Sequence, residues 1–153
     1  MALLNILKYP DEKLRKTAEP VVKFDNNILK ILNDMFETMY FNNAIGLAAT
    51  QVDIHKQIIV IDISKPNIEA KPNKNSKLVL VNPEILEGSG KTYSEESCLS
   101  IPNFVALVVR YKSIYISAFD EKGYTYRIRT NGILSICIQH EIEHLFGNLI
   151  IDR

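Results

Sequence analysis

Hydrophobic residues recur with helical spacing in the first third of the chain. Between positions 28 and 39 they return at intervals of three and four: Ile28, Ile31, Leu32, Met35, Phe36 and Met39. This spacing puts them on one face and predicts an amphipathic helix, which Asp25 or Asn26 can cap at its start. A shorter helix is predicted for residues 11–16, directly after Pro10.

The middle of the chain carries strand patterns instead. β-Branched and aromatic residues cluster in short runs bounded by turn residues, which is typical of strands. The runs are residues 57–63, 78–81 (ended by Asn82-Pro83), 106–109, 113–119 and 124–130. We expect the last three to be antiparallel, the final two being joined through residues 120–123. Residues 71–77 are polar and basic, and we expect them to form a solvated loop between strands.

The last long segment, residues 133–146, is apolar on most sides and contains no internal Gly or Pro. Asn131-Gly132 precedes it and Gly147 follows it, and these residues are typical of the turn before a helix and of its C-terminal end. A helix that is apolar nearly all round is buried. The predicted fold class is therefore α+β, with antiparallel or mixed sheets packed around a buried C-terminal helix and an amphipathic helix near the N-terminus.

Length and composition indicate the number of domains and argue against several classes of protein. The 153 residues are expected to form one domain, 1–153. Lys+Arg and Asp+Glu both number 18, so there is no broad basic field for nucleic acid. No apolar run reaches about 18 residues, so no membrane span is expected. Two distant cysteines do not suggest a disulfide framework.

The buried helix contains the pattern His140-Glu141-Ile142-Glu143-His144. Two histidines four residues apart lie one turn apart on one helix face, where they can hold the same metal ion. Glu141 can then act as general base on a metal-activated water. The alternative is a pair of histidines that only form hydrogen bonds with their neighbours.

A catalytic site of this kind has three protein ligands. His55 lies in a polar stretch and is expected to be a solvated loop residue. Cys137 precedes His140 by three residues, and its thiol leans away from a metal held by His140 and His144. Cys98 lies outside any helical pattern and can approach the helix from a loop, so we favour Cys98 as the third ligand. The alternative is a buried free thiol.

Three segments, in this order, strongly resemble the motifs of the peptide deformylase family. They are Asn43-Ala44-Ile45-Gly46-Leu47-Ala48-Ala49-Thr50-Gln51, Glu96-Ser97-Cys98-Leu99-Ser100 and Gln139-His140-Glu141-Ile142-Glu143-His144-Leu145. The family patterns are GxGLAAxQ, EGCLS and QHExDHL. Flanking residues are similar too, so the resemblance spans essentially the whole chain.

The resemblance implies an activity: removal of the formyl group from the N-terminal formyl-methionine of new polypeptides in the cytoplasm. Cys98, His140 and His144 would bind one divalent metal, typically Fe(II), with Ni, Co or Zn found in preparations. Glu141 would be the general base and then the acid, and Gln51 and the Leu99 N–H would hold the oxyanion. The Gly46 backbone would lie against substrate. The other expected substrate contacts are Ile45, Ile133, Ile136, Cys137 and Arg110, of which Arg110 could instead pair with Glu96 or lie on the surface.

Three departures from the family pattern bear on activity. Ala44 and Ser97 replace glycines, and Glu143 replaces an aspartate. Ser97 would be strained by about 1–2 kcal/mol if its φ were positive. Nine residues follow His144, so we expect no C-terminal extension of the kind some relatives use to dock on the ribosome. The alternatives are a catalytically impaired homologue that binds formyl-peptides or metal, a small HExxH metallopeptidase and a structural metal domain.

Overall fold

The computed structural model describes residues 2–64 and 77–153, and it has the α+β architecture predicted from the sequence. Within these residues, two α-helices, seven strands and three short 3-10 helices follow one another. The helices are α1 (Asn26–Phe41) and α2 (Gly132–Leu145). The strands are β1 (Gly46–Ala48), β2 (Ile58–Asp62), β3 (Lys77–Ser89), β4 (Thr92–Cys98), β5 (Ile101–Arg110), β6 (Ser113–Phe119) and β7 (Thr125–Asn131). The 3-10 helices are Glu12–Arg15, Ala49–Val52 and Ile150–Asp152.

The strands form two separate sheets. The larger has the order β1-β2-β3-β6-β7, and the smaller is the two-stranded pair β4-β5, which we call the ribbon. Every ladder among the described strands is antiparallel. Residues 71–76 of the predicted basic loop lie outside the described part of the chain.

The two helices cover opposite faces of the larger sheet. Ile59 and Ile61 of β2 pack in a cluster with Ile138 and Leu145 of α2. The alternating residues Ile58 and Val60 pack in the cluster that contains the apolar face of α1. Because successive residues of a strand point to opposite faces, β2 is covered on both sides. This explains why the first four residues of β2 form a continuous apolar run, and all five of its residues are buried.

Helix α1 begins and ends close to where the hydrophobic spacing places it. The Asp25 carboxylate accepts hydrogen bonds from the N–H groups of Asn27 and Ile28, so Asp25 is the cap. Ile28, Leu32, Met35 and Met39 are at most 4% exposed. The described part of the chain has no helix that is long and apolar enough to cross a membrane.

Two strand predictions were wrong in detail. Strand β3 does not end at Asn82-Pro83 but continues to Ser89 through a register shift between Val81 and Glu84. Asn82 adopts a φ of 50°, and its side-chain amide forms two hydrogen bonds with the Val21 backbone, so a distant segment stabilises the irregularity. Strand β4 was not predicted at all, and β5 pairs with it rather than with β6.

Candidate metal centre and catalytic site

The structure brings Cys98, His140 and His144 together. One ligand atom from each lies within 4.8 Å of the others, and the Cys98 Sγ is 3.3 Å from the His144 Nε2. Ligands about 2.0–2.3 Å from one tetrahedral ion lie roughly 3.3–3.8 Å apart, so this donor set fits a metal such as iron or zinc. Cys98 approaches from the end of strand β4 rather than from a loop.

His55 lies outside this cluster, as the sequence indicated, but it is not freely solvated. Its side chain is 20% exposed, and its Nε2 is 2.8 Å from the Asp53 carboxylate. A hydrogen-bonding partner two residues away in the chain accounts for its position.

His140 is oriented by a carboxylate that the sequence analysis did not assign to this role. The His140 Nδ1 is 2.9 Å from Glu96 Oε1, which leaves the Nε2 as the ring nitrogen that faces Cys98 and can bind a metal. In the metal-free protein, burial would lower the pKa of His140, but hydrogen bonds with Cys98 and Glu96 outweigh burial and raise the pKa to about 10, so metal binding would release a proton from this ring. A carboxylate on the outer nitrogen is the usual way in which a ligand histidine is fixed in one tautomer.

His144 sits in a different environment. Its burial, followed by the nearby charges of His140 and Arg110, lowers the pKa of His144 to about 3. It is therefore a neutral imidazole, which is the form that binds metals. Its Nδ1 is buried and has no hydrogen-bond partner among the described residues.

Glu141 projects from the same helix with one carboxylate oxygen unpartnered. Its side chain is buried, and Oε1 has no hydrogen-bond partner within the described residues. Burial raises the pKa of Glu141. A Cβ added to Gly46 of β1 would lie 3.0 Å from the other oxygen, Oε2, and 2.7 Å from the Cys137 Sγ. Glycine therefore lets the edge of the sheet approach the carboxylate closely.

Gln51 reaches the centre from the 3-10 helix that follows β1. Its Oε1 accepts a hydrogen bond from the Ala48 N–H at 3.1 Å. Its Nε2 is 3.2 Å from the Ser100 Oγ and 3.5 Å from the Cys98 Sγ. The side-chain amide thus presents its N–H groups to Cys98 at the end of β4 and to the turn that follows it.

A cleft of about 630 Å³ opens beside these groups. Gln51, Glu141, Cys98 and Leu99 line it, and so does every predicted apolar contact: Ile45, Gly46, Ile133, Ile136 and Cys137. Ala44 and Ser97, the two replacements for glycine, also lie on its wall. The φ of Ser97 is not positive, so the strain considered from the sequence does not arise there.

Arg110 requires a correction, because the structure does not place it in the cleft. Its side chain is 1% exposed and bonds both oxygens of Glu96, at 2.9 and 2.6 Å, and Glu143 at 2.7 Å. The guanidinium of Arg110 therefore forms its hydrogen bonds with two carboxylates. Arg110 is neither a substrate contact nor a surface residue. The alternative pairing with Glu96 is the one observed.

One signal in the sequence could have identified Glu96 as a residue next to the metal ligands. It precedes Cys98 by two residues, and residues i and i+2 of a strand share a face. Recognising residues 92–98 as a strand would have placed a carboxylate beside the predicted thiolate ligand. Glu143 carried no comparable signal, because its partner Arg110 is 33 residues away.

Comparisons with known proteins agree with this geometry. Residues 3–153 match the model of the family described as polypeptide deformylase. A peptide deformylase structure from Legionella pneumophila shares 41% identity over 99% of this chain and 85% of its own, with a TM-score of 0.91. A peptide deformylase from Synechococcus elongatus in complex with actinonin shares 38% over 98% and 78%, with a TM-score of 0.89.

A third structure carries a bound peptide. It is a class I type b peptide deformylase from Acinetobacter baumannii with Met-Ala-Ser, which shares 31% identity over 99% of this chain and 98% of its own, with a TM-score of 0.92. The chain therefore belongs to the polypeptide deformylase family, whose members are metal-dependent hydrolases that release the formyl group of formyl-methionyl peptides.

Proposed function

We propose that this site removes the formyl group from N-formyl-methionyl nascent polypeptides, with one divalent metal held by Cys98, His140 and His144. The observation that carries the proposal is the convergence of these three donors within 4.8 Å at the wall of a cleft, beside a Glu141 oxygen that has no hydrogen-bond partner within the described residues. The Met-Ala-Ser complex of the related enzyme supports the same class of substrate.

The metal would supply an activated water at neutral pH and polarise the formyl oxygen. We expect ferrous iron as the native ion, with nickel, cobalt or zinc able to replace it. A set of one thiolate and two imidazoles accepts all of these ions. The thiolate must stay reduced to bind, which favours the cytoplasm as the working compartment.

Glu141 handles the protons in this proposal. Its free Oε1 takes a proton from the attacking water and then gives it to the departing methionine nitrogen. Burial raises the pKa of Glu141 above the ordinary carboxyl value, which makes it a stronger base than an exposed glutamate. General acid–base catalysis of this kind contributes about 10²–10⁴-fold to a rate.

Gln51 and Leu99 stabilise the negative charge that develops on the formyl oxygen. The Gln51 Nε2 already faces the turn after Cys98, and Leu99 lines the same cleft. A well-aimed donor of this kind contributes about 2.7–4 kcal/mol. Because the Gln51 Oε1 is held by the Ala48 N–H, the amide cannot rotate away without losing that bond.

The apolar wall of the cleft receives the methionine side chain. Ile45, Ile136 and Cys137 form the lining, and Ile133, which is 44% exposed, lies at the rim. The peptide backbone runs beside Gly46, which lines the same cleft. An unbranched thioether adapts well to a surface of branched aliphatic groups.

Formate release tests this function directly. Protein prepared without oxygen and loaded with Fe(II) or Ni(II) is incubated with formyl-Met-Ala-Ser, with acetyl-Met-Ala-Ser as the matched control. We expect metal-dependent formate release from the first peptide and negligible cleavage of the second, whose added methyl group crowds the reacting carbon. Protein that is shown to hold one metal and yet releases no formate would overturn the proposal.

A further inference from the structure

The ribbon that carries Cys98 and the helix that carries the two histidines belong to different apolar clusters. Ile101 and Val108 of the ribbon pack with Leu14, Leu149 and Ile150. Helix α2 packs instead with the larger sheet through Ile138 and its neighbours. The separation between the third ligand and the first two is therefore not set by a shared apolar core.

Polar groups join the ribbon to the helix. Arg110, the last residue of β5, bonds Glu96 of β4 and also Glu143 of α2, at 2.6 and 2.7 Å. Glu96 in turn contacts His140 of α2 at 2.9 Å. The Gln139 side chain forms hydrogen bonds with both the N–H and the carbonyl of Tyr111, each at 2.9 Å.

The charged part of this connection is buried at its centre. The Arg110 side chain is 1% exposed, the Glu96 side chain 6% and the Glu143 side chain 21%. Arg153 closes the outer end, with its guanidinium 3.4 Å from Glu143 and bonded to the Val109 carbonyl of the ribbon at 3.0 Å. Removing one member of such a network leaves a buried charge without compensation, so the network strongly favours one relative placement of ribbon and helix.

We propose that Glu143 and Arg110 are positioning residues that dock the ribbon on α2 and thereby set the distance between the Cys98 thiolate and the two histidines. This inference rests on the proposed metal site. It assigns to Glu143 a role in metal affinity although its side chain forms its ion pairs with Arg110 and Arg153, away from the three ligands. It also explains why Arg110 contacts a second carboxylate, Glu143, besides the Glu96 carboxylate that orients His140.

The substitution Glu143→Gln tests the idea, because it removes the charge and keeps the size of the side chain. It leaves the pairs from Arg110 to Glu96 and from Glu96 to His140 in place. We expect the metal to bind about tenfold more weakly, measured by competition with a chelator, since removing an outer partner typically costs 10–100-fold. The thiolate-to-cobalt absorption band of the Co(II) form should weaken in parallel.

A double-mutant cycle with Cys98→Ala identifies the ligand through which Glu143 acts. In the Cys98→Ala background, Glu143→Gln should change metal affinity by less than about twofold, because there is no thiolate left to position. Glu143→Asp keeps the charge and should recover most of the lost affinity. The matched control is Glu87→Gln, which breaks an exposed pair with Arg129 at 3.6 Å and should change nothing.

Unfolding of each metal-free variant, followed by circular dichroism, shows that the variants compared are folded. An unchanged affinity and an unchanged cobalt band in folded Glu143→Gln would overturn the inference and leave the proposed function intact. An equal loss with and without Cys98 would also overturn it, because Glu143 would then act on the histidines. A wild-type protein that binds no metal would overturn the proposed function and this inference together.

Discussion

Helix α2 and the β4–β5 ribbon each bring ligands to the same centre, but their surroundings differ. Ile138 and Leu145 of α2 are at most 1% exposed and lie in the apolar layer against the larger sheet. The outer face of the ribbon is open to solvent, with Tyr93 72% and Leu107 68% exposed, and its inner face presents Glu96 and Arg110. The position of the helix therefore rests mainly on apolar packing, whereas we infer that the docking of the ribbon on the helix depends on ion pairs.

This difference separates two properties that the site needs. Close-packed apolar contacts resist displacement in any direction, so they suit the helix that holds two ligands and the base. Buried ion pairs add little net stability but penalise wrong arrangements, so they suit an element that has to arrive in one position. Substitutions in the two regions should therefore have effects of different kinds.

The largest effect is expected from Glu141→Gln on the helix. The variant keeps its ligands but cannot accept a proton, so formate release should fall about 10³-fold. Metal content, measured by atomic emission, should stay at the wild-type level. A variant that retains turnover would remove Glu141 from its proposed role.

The next comparison is between buried and exposed leucine-sized side chains in the two regions. Ile138→Ala leaves a cavity under α2 and should lower the free energy of unfolding by about 2–5 kcal/mol. Leu107→Ala on the outer face of the ribbon should change it by no more than about 0.5 kcal/mol. Denaturant unfolding of the metal-free proteins gives both values. Similar losses would mean that the ribbon face is covered in solution.

The two cysteines offer a matched pair for metal binding. Cys98→Ser should weaken metal binding by roughly 100-fold or more. Removing even the hydrogen-bond partner of a ligand typically lowers metal affinity 10–100-fold. Cys137→Ser, which changes a buried thiol beside Gly46, should leave one metal per chain. Binding that is lost in the second variant and kept in the first would overturn the ligand assignment.

The sequence predicted the helical region better than the ribbon, and the physical reason is the range of the interactions. The periodicity of α1 and the spacing of His140 and His144 are local and can be read within a few residues. Strand β4 has no alternating apolar face, and the buried residue on it is Glu96, which is stabilised by Arg110 from the next strand. The sequence offered the pairing of Arg110 with Glu96 as one of three alternatives, but it could not select among them.

Non-local contacts also account for the other differences. Asn82-Pro83 does interrupt the regular pairing of β3, but the strand continues beyond it. The Val21 backbone, 61 residues away in the chain, forms hydrogen bonds with the Asn82 side chain and stabilises the irregularity. From the sequence, Arg110 suited contact with substrate, with a carboxylate or with solvent equally well. In the structure, the buried Glu96 and the half-buried Glu143 decide its position. The apolar wall of the cleft could be predicted because its residues flank recognisable motifs.

The ion pairs of the ribbon predict a pH dependence that the apolar helix packing lacks. Burial opposes ionisation of Glu96, but Arg110 and His140 outweigh it, so the pKa falls from 4.5 to about 2. Because the folded state favours the ionised carboxylate, this contribution to stability is present above pH 4.5 and is lost as the pH falls towards 2. In metal-free protein, the difference in unfolding free energy between wild type and Glu96→Gln should therefore shrink over that interval. A difference independent of pH would contradict the pairing.

The smallest effect is expected from Ser97→Gly, at the point where the ribbon meets the cleft. Ser97 is exposed and its φ is not positive, so glycine relieves no backbone strain. The greater freedom of glycine in the unfolded chain should cost about 0.5–1 kcal/mol of stability. We expect kcat/KM for formyl-Met-Ala-Ser to change by less than about threefold, since most substitutions at exposed positions perturb their surroundings little. A gain of tenfold or more would show that the Ser97 side chain obstructs the peptide. In that case the ribbon would limit the rate through its shape as well as hold the thiol in place.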